Sequence, residues 1–375
     1  MKYLSEFRDP VLADKLLNEI KIDIDLLKYS ERKIRMMEVC GGHTHTIFKY
    51  GLEQLLPKEI ELIHGPGCPV CVLPINKVDE CVELAEEKQV ILTTFGDAIR
   101  VPGSKKSLLQ AKAEGADIRI VYSPMDALDI AVKNPGKDVV FFALGFETTM
   151  PSTALTVQEA KKQEVLNFSI LCNHITIPQT LKALLDTDNL NLDAFIGPGH
   201  VNMIIGTEVY GFIVNQYKKP IVVSGFEPLD ILQSISMLIK QLLENRCEIE
   251  NQYKRVVSKK GNIIAQEAIN NVYQIKEYSE WRGLGLIPES GVMLRNEYEL
   301  YDAEKKYDLK TVNTPDPEKC QCGEVLQGFI KPYECKLFGK ECTPHNPIGA
   351  LMVSSEGSCA AYYNYKYPSE NSIIS

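Results

Sequence analysis

The chain has 375 residues, of which 45% are hydrophobic and 24% charged, and its net charge is -9. This ordinary composition excludes a disordered or fibrous protein, and the acidic balance disfavours nucleic acid or an anionic membrane as a partner, because both require a basic surface. The length exceeds what one hydrophobic core usually serves, so we expect two or three domains.

The N-terminus is charged and long apolar runs are missing. We therefore expect neither a signal peptide nor a membrane-spanning helix, and predict a cytoplasmic protein. The eleven cysteines of such a chain are more often reduced, metal-bound or catalytic than paired in a disulfide framework.

An amphipathic helix is predicted over residues 8–28, and strand-like and helix-like segments alternate after it. Segments 74–88 and 152–163 have the length of crossover helices. The strand candidates are nearly continuous apolar runs, which are typical of strands buried on both faces of a parallel sheet. They are 35–40, 59–65, 89–96, 117–123, 138–145, 168–174, 193–199 and 220–226. The pattern predicts an α/β protein with parallel sheets.

Several motifs recur at a nearly constant offset, which indicates an internal duplication. The matched pairs are Cys40 with Cys172 and Gly65 with Gly197, each 132 positions apart, and Phe95 with Phe226, one position closer. We therefore predict an N-terminal helix over 1–29, followed by two related α/β domains over 30–135 and 136–235.

The remaining residues, 236–375, are predicted to form a smaller third domain. Residues 231–278 look helical, and the sequence after Gly285 is rich in Pro, Gly and Cys with few apolar runs. Such a segment cannot build much core alone, so we expect it to depend on a metal and on docking to the first two domains.

Polar motifs follow nearly every predicted strand, and the carboxyl ends of parallel strands form the usual ligand-binding edge of a sheet. One of these motifs is a C-x-x-C formed by Cys68 and Cys71, placed between a strand and a helix. A thiol at a helix N-terminus is easily ionised, which favours a redox-active dithiol. Half of a zinc site or a buried pair are the alternatives, but no second C-x-x-C completes a zinc site.

Cys40 is followed by two glycines that allow close backbone approach, and then by His43, Thr44 and His45. A thiolate beside imidazoles suits a soft or borderline metal or a nucleophile. A small core cysteine before a glycine turn explains the same pattern, and spacing alone does not choose between them.

Other polar residues have a functional and a structural interpretation. Glu147 is a possible acid or base, whereas Thr148 and Thr149 fit the cap of the next helix. Asp97 and Arg100 suit an ion pair, either in the crevice at the carboxyl ends of the strands or as a structural bridge. The remaining candidates are predicted to be structural: His64, His174 and His200 at sheet ends, Cys81 and Cys247 packed inside helices, and Cys172, whose place in the repeat leaves its role open.

The C-terminal cysteines carry the strongest chemical pattern. Cys320, Cys335, Cys342 and Cys359 provide four thiolates in a loop-rich segment, enough for a cubane iron-sulfur cluster, and Cys322 competes for the first position. A four-cysteine zinc site is the alternative, but zinc sites usually present their cysteines as closely spaced pairs.

Together these motifs resemble the hydrogenase maturation factor HypD family over nearly the whole chain. The motifs are CGGHTH at 40–45, GPGCPVC at 65–71, FGDAIRVPG at 95–103, GFETT at 145–149, GPGHV at 197–201, GFEP at 225–228 and CTPHNPIGALMVSSEGSCAAYY at 342–363. The resemblance implies two related α/β domains and a smaller domain with a [4Fe-4S] cluster. It also implies a scaffold for the Fe(CN)2CO group of [NiFe]-hydrogenases, acting with a HypC-type chaperone and a HypE-type cyanide donor.

By the same resemblance, Cys40 looks like the iron-binding thiolate, and Cys68 and Cys71 look like the redox pair of the crevice. His43 and Glu147 belong to motifs that resemble the crevice set. Two other functions compete with the scaffold: a thiol-disulfide oxidoreductase whose cluster serves a protein partner, and a zinc-stabilised interaction protein.

Overall fold

The computed structural model describes residues 5–27, 32–188, 190–309 and 314–366. In these ranges the strands are β1 (Ile34–Glu38), β2 (Ile60–His64), β3 (Val90–Thr94), β4 (Ile118–Ile120), β5 (Asp138–Gly145), β6 (Phe168–His174), β7 (Ala194–Pro198), β8 (Ile221–Ser224), β9 (Ile249–Asn251), β10 (Tyr273–Trp281) and β11 (Gly285–Leu294).

The helices lie between these strands and after them. They are α1 (Pro10–Leu27), α2 (Gly41–Lys49), α3 (Leu52–Leu55), α4 (Ile75–Glu86), α5 (Leu108–Ala113), α6 (Pro124–Lys133), α7 (Met150–Lys162), α8 (Ile177–Leu185), α9 (Gly199–Ile205), α10 (Gly211–Asn215), α11 (Pro228–Leu243), α12 (Ile263–Val272), α13 (Ala303–Lys306), α14 (Cys322–Leu326) and α15 (Ser358–Lys366). None of these described helices combines the length and the apolar character that a membrane span requires.

Two parallel sheets form the frame of the molecule. Sheet A has the strand order β2-β1-β7-β8-β9 and sheet B the order β4-β3-β5-β6. The eight predicted strands correspond to β1 to β8, and all five residues of β3 are buried because helices cover both faces of its sheet. The predicted α/β class with two parallel-sheet units is confirmed.

The sheets are divided differently from the predicted domains. After β2 the chain crosses from sheet A to sheet B, forms β3 to β6, and returns to sheet A at β7. The predicted boundary at 135/136 therefore lies between β4 and β5, which are both strands of sheet B. The predicted boundary at 235/236 lies inside α11. The reason is long-range pairing, since β1 pairs in parallel with β7 through Met36 and Ala194.

The two sheets share a spatial order that explains most of the repeat. Counted from the edge strands β4 and β9, β3 corresponds to β8, β5 to β7, and β6 to β1. Phe95 and Phe226 follow β3 and β8, which are equivalent strands. Cys40 follows β1 and Cys172 lies in β6, and these strands are also equivalent. Gly65 and Gly197 do not fit, because β2 and β7 both lie in sheet A.

The helix predicted over 231–278 is wrong in part. Helix α11 ends at Leu243 because Asn245 takes a left-handed backbone conformation, with φ of 52°. The chain then forms β9, α12 and β10. Cys247 consequently lies in the loop before β9 rather than in a helix, half-buried, and its Sγ donates to the carbonyl of Val214 at 3.7 Å.

The C-terminal region docks on the two sheets as predicted. Trp281, at the end of the antiparallel β10-β11 hairpin, is fully buried and stacks on Phe146 at 5.8 Å. The next residue, Arg282, donates its backbone N–H to the carbonyl of Val72 at 2.9 Å. Its buried guanidinium pairs with Asp316 at 3.0 Å, so one side chain joins the hairpin to the C-terminal loops.

Candidate functional site in the cleft

The ends of strands from both sheets open into one cleft with a volume of about 570 Å³. Its lining includes Cys40, Gly67, Asp97, Thr149, His200 and Glu356. Five of the strand-end motifs therefore meet at one place, as the parallel arrangement predicts. Glu356 comes from the C-terminal region and was not predicted.

Cys40 lies at the N-cap of α2, two residues after β1, and its N–H donates to Oε2 of Glu38 at 2.9 Å. Burial, with smaller contributions from the charges of Glu38 and Glu356, raises the pKa of the Cys40 thiol to about 12. The free thiol is therefore protonated, and a metal cation has to displace that proton before it binds the sulfur.

Glu38 is fully buried beneath Cys40 and holds several groups at once. Its Oε1 accepts from Nδ1 of His64 at 2.8 Å and from the hydroxyl of Thr44. Burial opposes protonation of His64, but hydrogen bonds to Glu38 and Glu53 raise its pKa overall. His64 is thus a polar residue with a partner, as predicted, and its hydrogen bond holds the carboxylate that fixes Cys40.

The loop before the C-x-x-C lies directly on Cys40. The N–H of Gly65 donates to the carbonyl of Glu38, and the N–H of Gly41 donates to the carbonyl of Gly67, both at 2.9 Å. A Cβ atom on Gly67 would overlap the backbone of Val39 and Cys40. This close approach of two backbones places the dithiol loop beside Cys40 and requires glycine at residue 67.

We expect Gly67→Ala to destabilise the protein by about 3 kcal/mol or more, because the methyl group meets backbone that cannot move aside. The free energy of unfolding measured with denaturant tests this. Gly136→Ala is the matched control, since nothing lies within 4 Å of its Cβ position. Equal effects of the two substitutions would contradict the packing argument.

Cys68 and Cys71 are joined by a disulfide with a Cα–Cα distance of 5.2 Å, and both are buried. They lie between β2 and α4, as predicted, but α4 begins at Ile75 with Pro74 as its N-cap. The sulfurs therefore do not lie at the N-terminus of α4, where the sequence predicted that the helix dipole would favour a thiolate. Instead the N–H of Cys71 points at Sγ of Cys68, at 3.3 Å.

One C-terminal segment, residues 354–362, lies across these groups. Glu356 covers Gly41, where an added Cβ would lie 2.5 Å from the Cβ of Glu356. Gly357 lies against Cys71, with 3.1 Å between its Cβ position and the sulfur. Tyr362 on α15 packs on Phe48 of α2 at 4.6 Å. The same segment carries Cys359.

Glu356 is exposed to the cleft, but protein crowds its carboxyl group. This loss of hydration, followed by repulsion from Asp97 and Glu38, raises the pKa of Glu356. A carboxylate next to Cys40 is a ready ligand or proton acceptor at this site. The only indication in the sequence was its position three residues before Cys359.

The five C-terminal thiols line one pocket, whose other walls are mainly apolar. The sulfurs of Cys320 and Cys322 are 3.2 Å apart, and Sγ of Cys342 accepts the N–H of Ile348 at 3.4 Å. A Cβ on Gly349 would lie 2.7 Å from Sγ of Cys320. Three features fit an iron-sulfur cluster: the five thiols, the N–H that donates to a cysteine sulfur, and the glycine whose lack of a side chain leaves space beside Sγ of Cys320.

Across residues 5–27, 32–188, 190–309 and 314–366, no group of three or more His, Cys, Asp or Glu side chains is arranged to hold a metal ion. The thiols of the pocket are gathered without forming a closed ion site. Cluster ligation by these residues therefore stays a prediction.

His43 does not line the cleft. It is fully buried behind Cys40, with Nε2 3.3 Å from the carbonyl of Ser224, and burial lowers its pKa. Its ring stacks on Phe226 at 4.8 Å, and Phe226 stacks in turn on His200 at 3.8 Å. His200 is the imidazole that reaches the cleft, although the sequence suggested only a structural role for it.

Glu147 also lies outside the cleft lining. Its Oε1 accepts the N–H of Ile177 at the start of α8, at 3.1 Å, and within the described chain its Oε2 has no hydrogen-bond partner. Burial raises the pKa of Glu147 to about 7.

Thr149 occupies the predicted N-cap of α7, although its hydroxyl donates to the carbonyl of Phe146 rather than capping the helix.

The raised pKa of Glu147 predicts how stability depends on pH. Its carboxyl is neutral in the folded state up to about pH 7 but ionises near pH 4.5 when unfolded, so stability falls as pH rises between these values. The free energy of unfolding of the unmodified protein should fall by about 3 kcal/mol between pH 4.5 and pH 8. We expect Glu147→Gln to remove this fall. Unfolding with denaturant at both pH values measures it. The exposed Glu83→Gln is the control, and equal pH dependence of both variants contradicts the prediction.

The other candidates lie as follows. Asp97 lines the cleft, but no ion pair joins it to Arg100 in the described part of the chain; Arg100 donates to the carbonyl of Val353 at 2.6 Å instead.

Cys81 is fully buried in α4, which confirms its packing role. The half-buried Cys172 donates to the carbonyl of Val292 at 3.4 Å, and burial lowers the pKa of His174 to about 3.

Comparison with known proteins identifies relatives that match nearly the whole chain. A family model for HypD, described as the hydrogenase formation hypA family, matches residues 12–366. The chain is 55% identical to the hydrogenase maturation factor HypD of Rhodobacter capsulatus over 97% of this chain and 98% of that protein. It is 53% identical to HypD of Escherichia coli K12 over 98% of both chains, and 46% identical to HypD of Cupriavidus necator over 97% of both.

Proposed function

Because the chain belongs to the HypD family of hydrogenase maturation factors, we propose that its cleft is the scaffold on which the Fe(CN)2CO group of [NiFe]-hydrogenases is assembled. Cys40 supplies a thiolate to this iron, a HypC-type chaperone shares the iron, and a HypE-type protein delivers cyanide. The iron is the cargo of the reaction. We place this work in the cytoplasm, where thiols are kept reduced.

The observation that carries the proposal is the contact made by residues 354–362. This segment touches Gly41 next to Cys40 through Glu356, and touches Cys71 through Gly357. It also carries Cys359, one of the cysteines of the C-terminal pocket. One short piece of chain thus contacts the glycine next to Cys40, contacts the dithiol and supplies a cysteine to the pocket, which supports coupled metal and redox chemistry at these groups.

Cys320, Cys335, Cys342 and Cys359 would hold a [4Fe-4S] cluster. When bound, such a cluster supplies electrons one at a time. Reduction of the disulfide breaks the bond between Cys68 and Cys71 and takes up two electrons and two protons, which leaves two thiols. In this proposal the thiols support ligand transfer to the iron, and Glu38 holds Cys40 in place through its backbone N–H.

Infrared spectroscopy tests the scaffold proposal directly. The full chain is produced with the complete set of maturation proteins and purified anaerobically with its HypC-type chaperone. We expect CN and CO stretching bands from iron bound to the complex. An iron-sulfur protein that reduces a partner disulfide but never shows these bands would instead be a thiol-disulfide oxidoreductase, and a colourless protein containing zinc would end the cluster proposal.

A further inference from the structure

We propose that His64 is a positioning residue for the iron-binding thiol of Cys40, and that it links this thiol to α15, the helix that carries Cys359. The inference rests on the proposed role of Cys40. His64 is not among the described residues that line the cleft, and its side chain is only 4% exposed. It therefore acts on a metal in the cleft only through other groups of the protein.

The first link is a carboxylate shared by His64 and Cys40. Glu38 and His64 are the last residues of β1 and β2, and the two strands pair them side by side. Nδ1 of His64 donates to Oε1 of Glu38 at 2.8 Å, and Oε2 accepts the N–H of Cys40 at 2.9 Å. An ionised carboxylate only accepts, so Nδ1 carries the proton of this bond. The imidazole thus holds one oxygen of Glu38 while the other oxygen holds Cys40.

Cys40 has little freedom to move by itself. Its carbonyl accepts the N–H of His43 at 2.8 Å, and the next N–H along the chain, that of Gly41, donates to the carbonyl of Gly67 at 2.9 Å. Since Glu38 holds the N–H of Cys40 itself, the backbone of Cys40 is fixed on both sides. The direction in which its sulfur leaves the chain is then fixed as well, and outer contacts of this kind orient metal ligands.

A second carboxylate lies on the other side of the imidazole. Nε2 of His64 is 3.6 Å from Oε1 of Glu53, on α3. Glu38 is fully buried, and a buried carboxylate needs donors for its oxygens. The hydroxyl of Thr44 donates to the same oxygen of Glu38 as His64 does. Removing the imidazole N–H would leave that oxygen with fewer donors and let the carboxylate turn away from Cys40.

The face of the imidazole contacts aromatic side chains that lead to the cysteine pocket. The ring of His64 lies 4.9 Å from that of Phe48 and 6.1 Å from that of Tyr362 on α15, and the Phe48 and Tyr362 rings are 4.6 Å apart. Tyr362 follows Cys359 by three residues, so the two are neighbours on one helix face. Cys359 lines the C-terminal pocket. A shift of α15 when Cys359 binds a cluster would therefore move the His64 ring, and Glu38 would pass the change to Cys40.

Infrared spectroscopy and iron analysis of the full chain, purified anaerobically with its HypC-type chaperone, test the positioning role. Asparagine at residue 64 places an amide N–H near the position of Nδ1, whereas glutamine places it near that of Nε2. We expect His64→Gln to lower the amount of iron with CN and CO bands at least about tenfold, as loss of outer contacts of a metal ligand does. His64→Asn is the matched control and should retain most of these bands. The thermal midpoint and the cluster absorption should be similar for both variants.

The link to α15 is tested in the same complex. Tyr362→Leu removes the ring that contacts Phe48 and His64, whereas Tyr362→Phe keeps it. We expect Tyr362→Leu to lower the CN and CO bands at least about threefold with the cluster absorption retained, and Tyr362→Phe to leave both unchanged. If Tyr362→Leu loses the cluster, Phe48→Leu takes its place, because Phe48 lies between the two rings and is not among the described residues that line the cysteine pocket.

The outcomes separate the inference from the function on which it rests. If the unmodified complex shows no CN and CO bands, the proposed function is overturned, and the positioning role with it. If the unmodified complex shows them and His64→Gln shows them equally, only the positioning role is overturned. Equal loss in His64→Gln and His64→Asn also overturns it, because the ring would then serve packing rather than the bond to Glu38. Full bands in Tyr362→Leu or in its replacement Phe48→Leu overturn the link to α15.

Discussion

Replacing Cys40 by serine is expected to abolish assembly of the iron group while leaving the fold intact. Among the described residues that line the cleft, Cys40 is the one with a thiol. Loss of a group that merely supports a metal ligand already costs about 10- to 100-fold, so loss of the ligand itself should lower hydrogenase activity in cells more than about 100-fold. The CN and CO infrared bands of the purified complex should disappear with it.

The control for this prediction is Cys247→Ser, which removes a half-buried thiol that does not line the cleft. We expect full hydrogenase activity and unchanged infrared bands from that variant. Circular dichroism and the thermal midpoint should be similar for both variants, since serine fits where cysteine did. Retention of the infrared bands by Cys40→Ser would remove Cys40 from the proposed iron site.

The strands of both parallel sheets were predictable because continuous apolar runs in the local sequence identify them. Runs such as Val139 to Leu144 are apolar at every position, and in the structure all of them are buried, as expected of strands covered on both faces. The β10-β11 hairpin was missed because neither strand is a continuous apolar run. Strand β10 follows α12 directly and was included in the predicted helix, and β11 contains Pro288 and Glu289. The crossing between sheets was missed because it depends on pairing of β1 with β7, which no local pattern records.

The site was predictable to the extent that strand ends determine it. Cys40 and the C-x-x-C follow β1 and β2, which are neighbours in sheet A, so their convergence follows from topology. His43 belongs to the same motif as Cys40, and Glu147 belongs to the motif after β5, but both side chains are buried and neither lines the cleft. Side-chain direction after a strand end depends on tertiary packing. Glu356 reaches the cleft from a distant segment, which the sequence alone cannot place.

Loss of the cluster is the second large effect that we expect, and Cys335→Ser should cause it. Cys335 lines the C-terminal pocket with the other four thiols, and no nearby cysteine in sequence replaces it. We expect the anaerobically purified variant to lose its visible absorption and about four irons per chain. Cys81→Ser, in the core of α4, is the control that should keep both. A fully loaded Cys335→Ser protein would exclude Cys335 from the ligand set.

Cys320 and Cys322 are expected to behave differently from Cys335, because their sulfurs lie only 3.2 Å apart. We propose Cys320 as the first ligand, but at this separation Cys322 can reach the same corner of a cluster. Cys320→Ser and Cys322→Ser should therefore each retain most of the iron, whereas the double variant should lose it as completely as Cys335→Ser. Complete loss in one single variant would identify that cysteine as the obligatory ligand. Iron retained in the double variant would mean that both cysteines lie outside the ligand set.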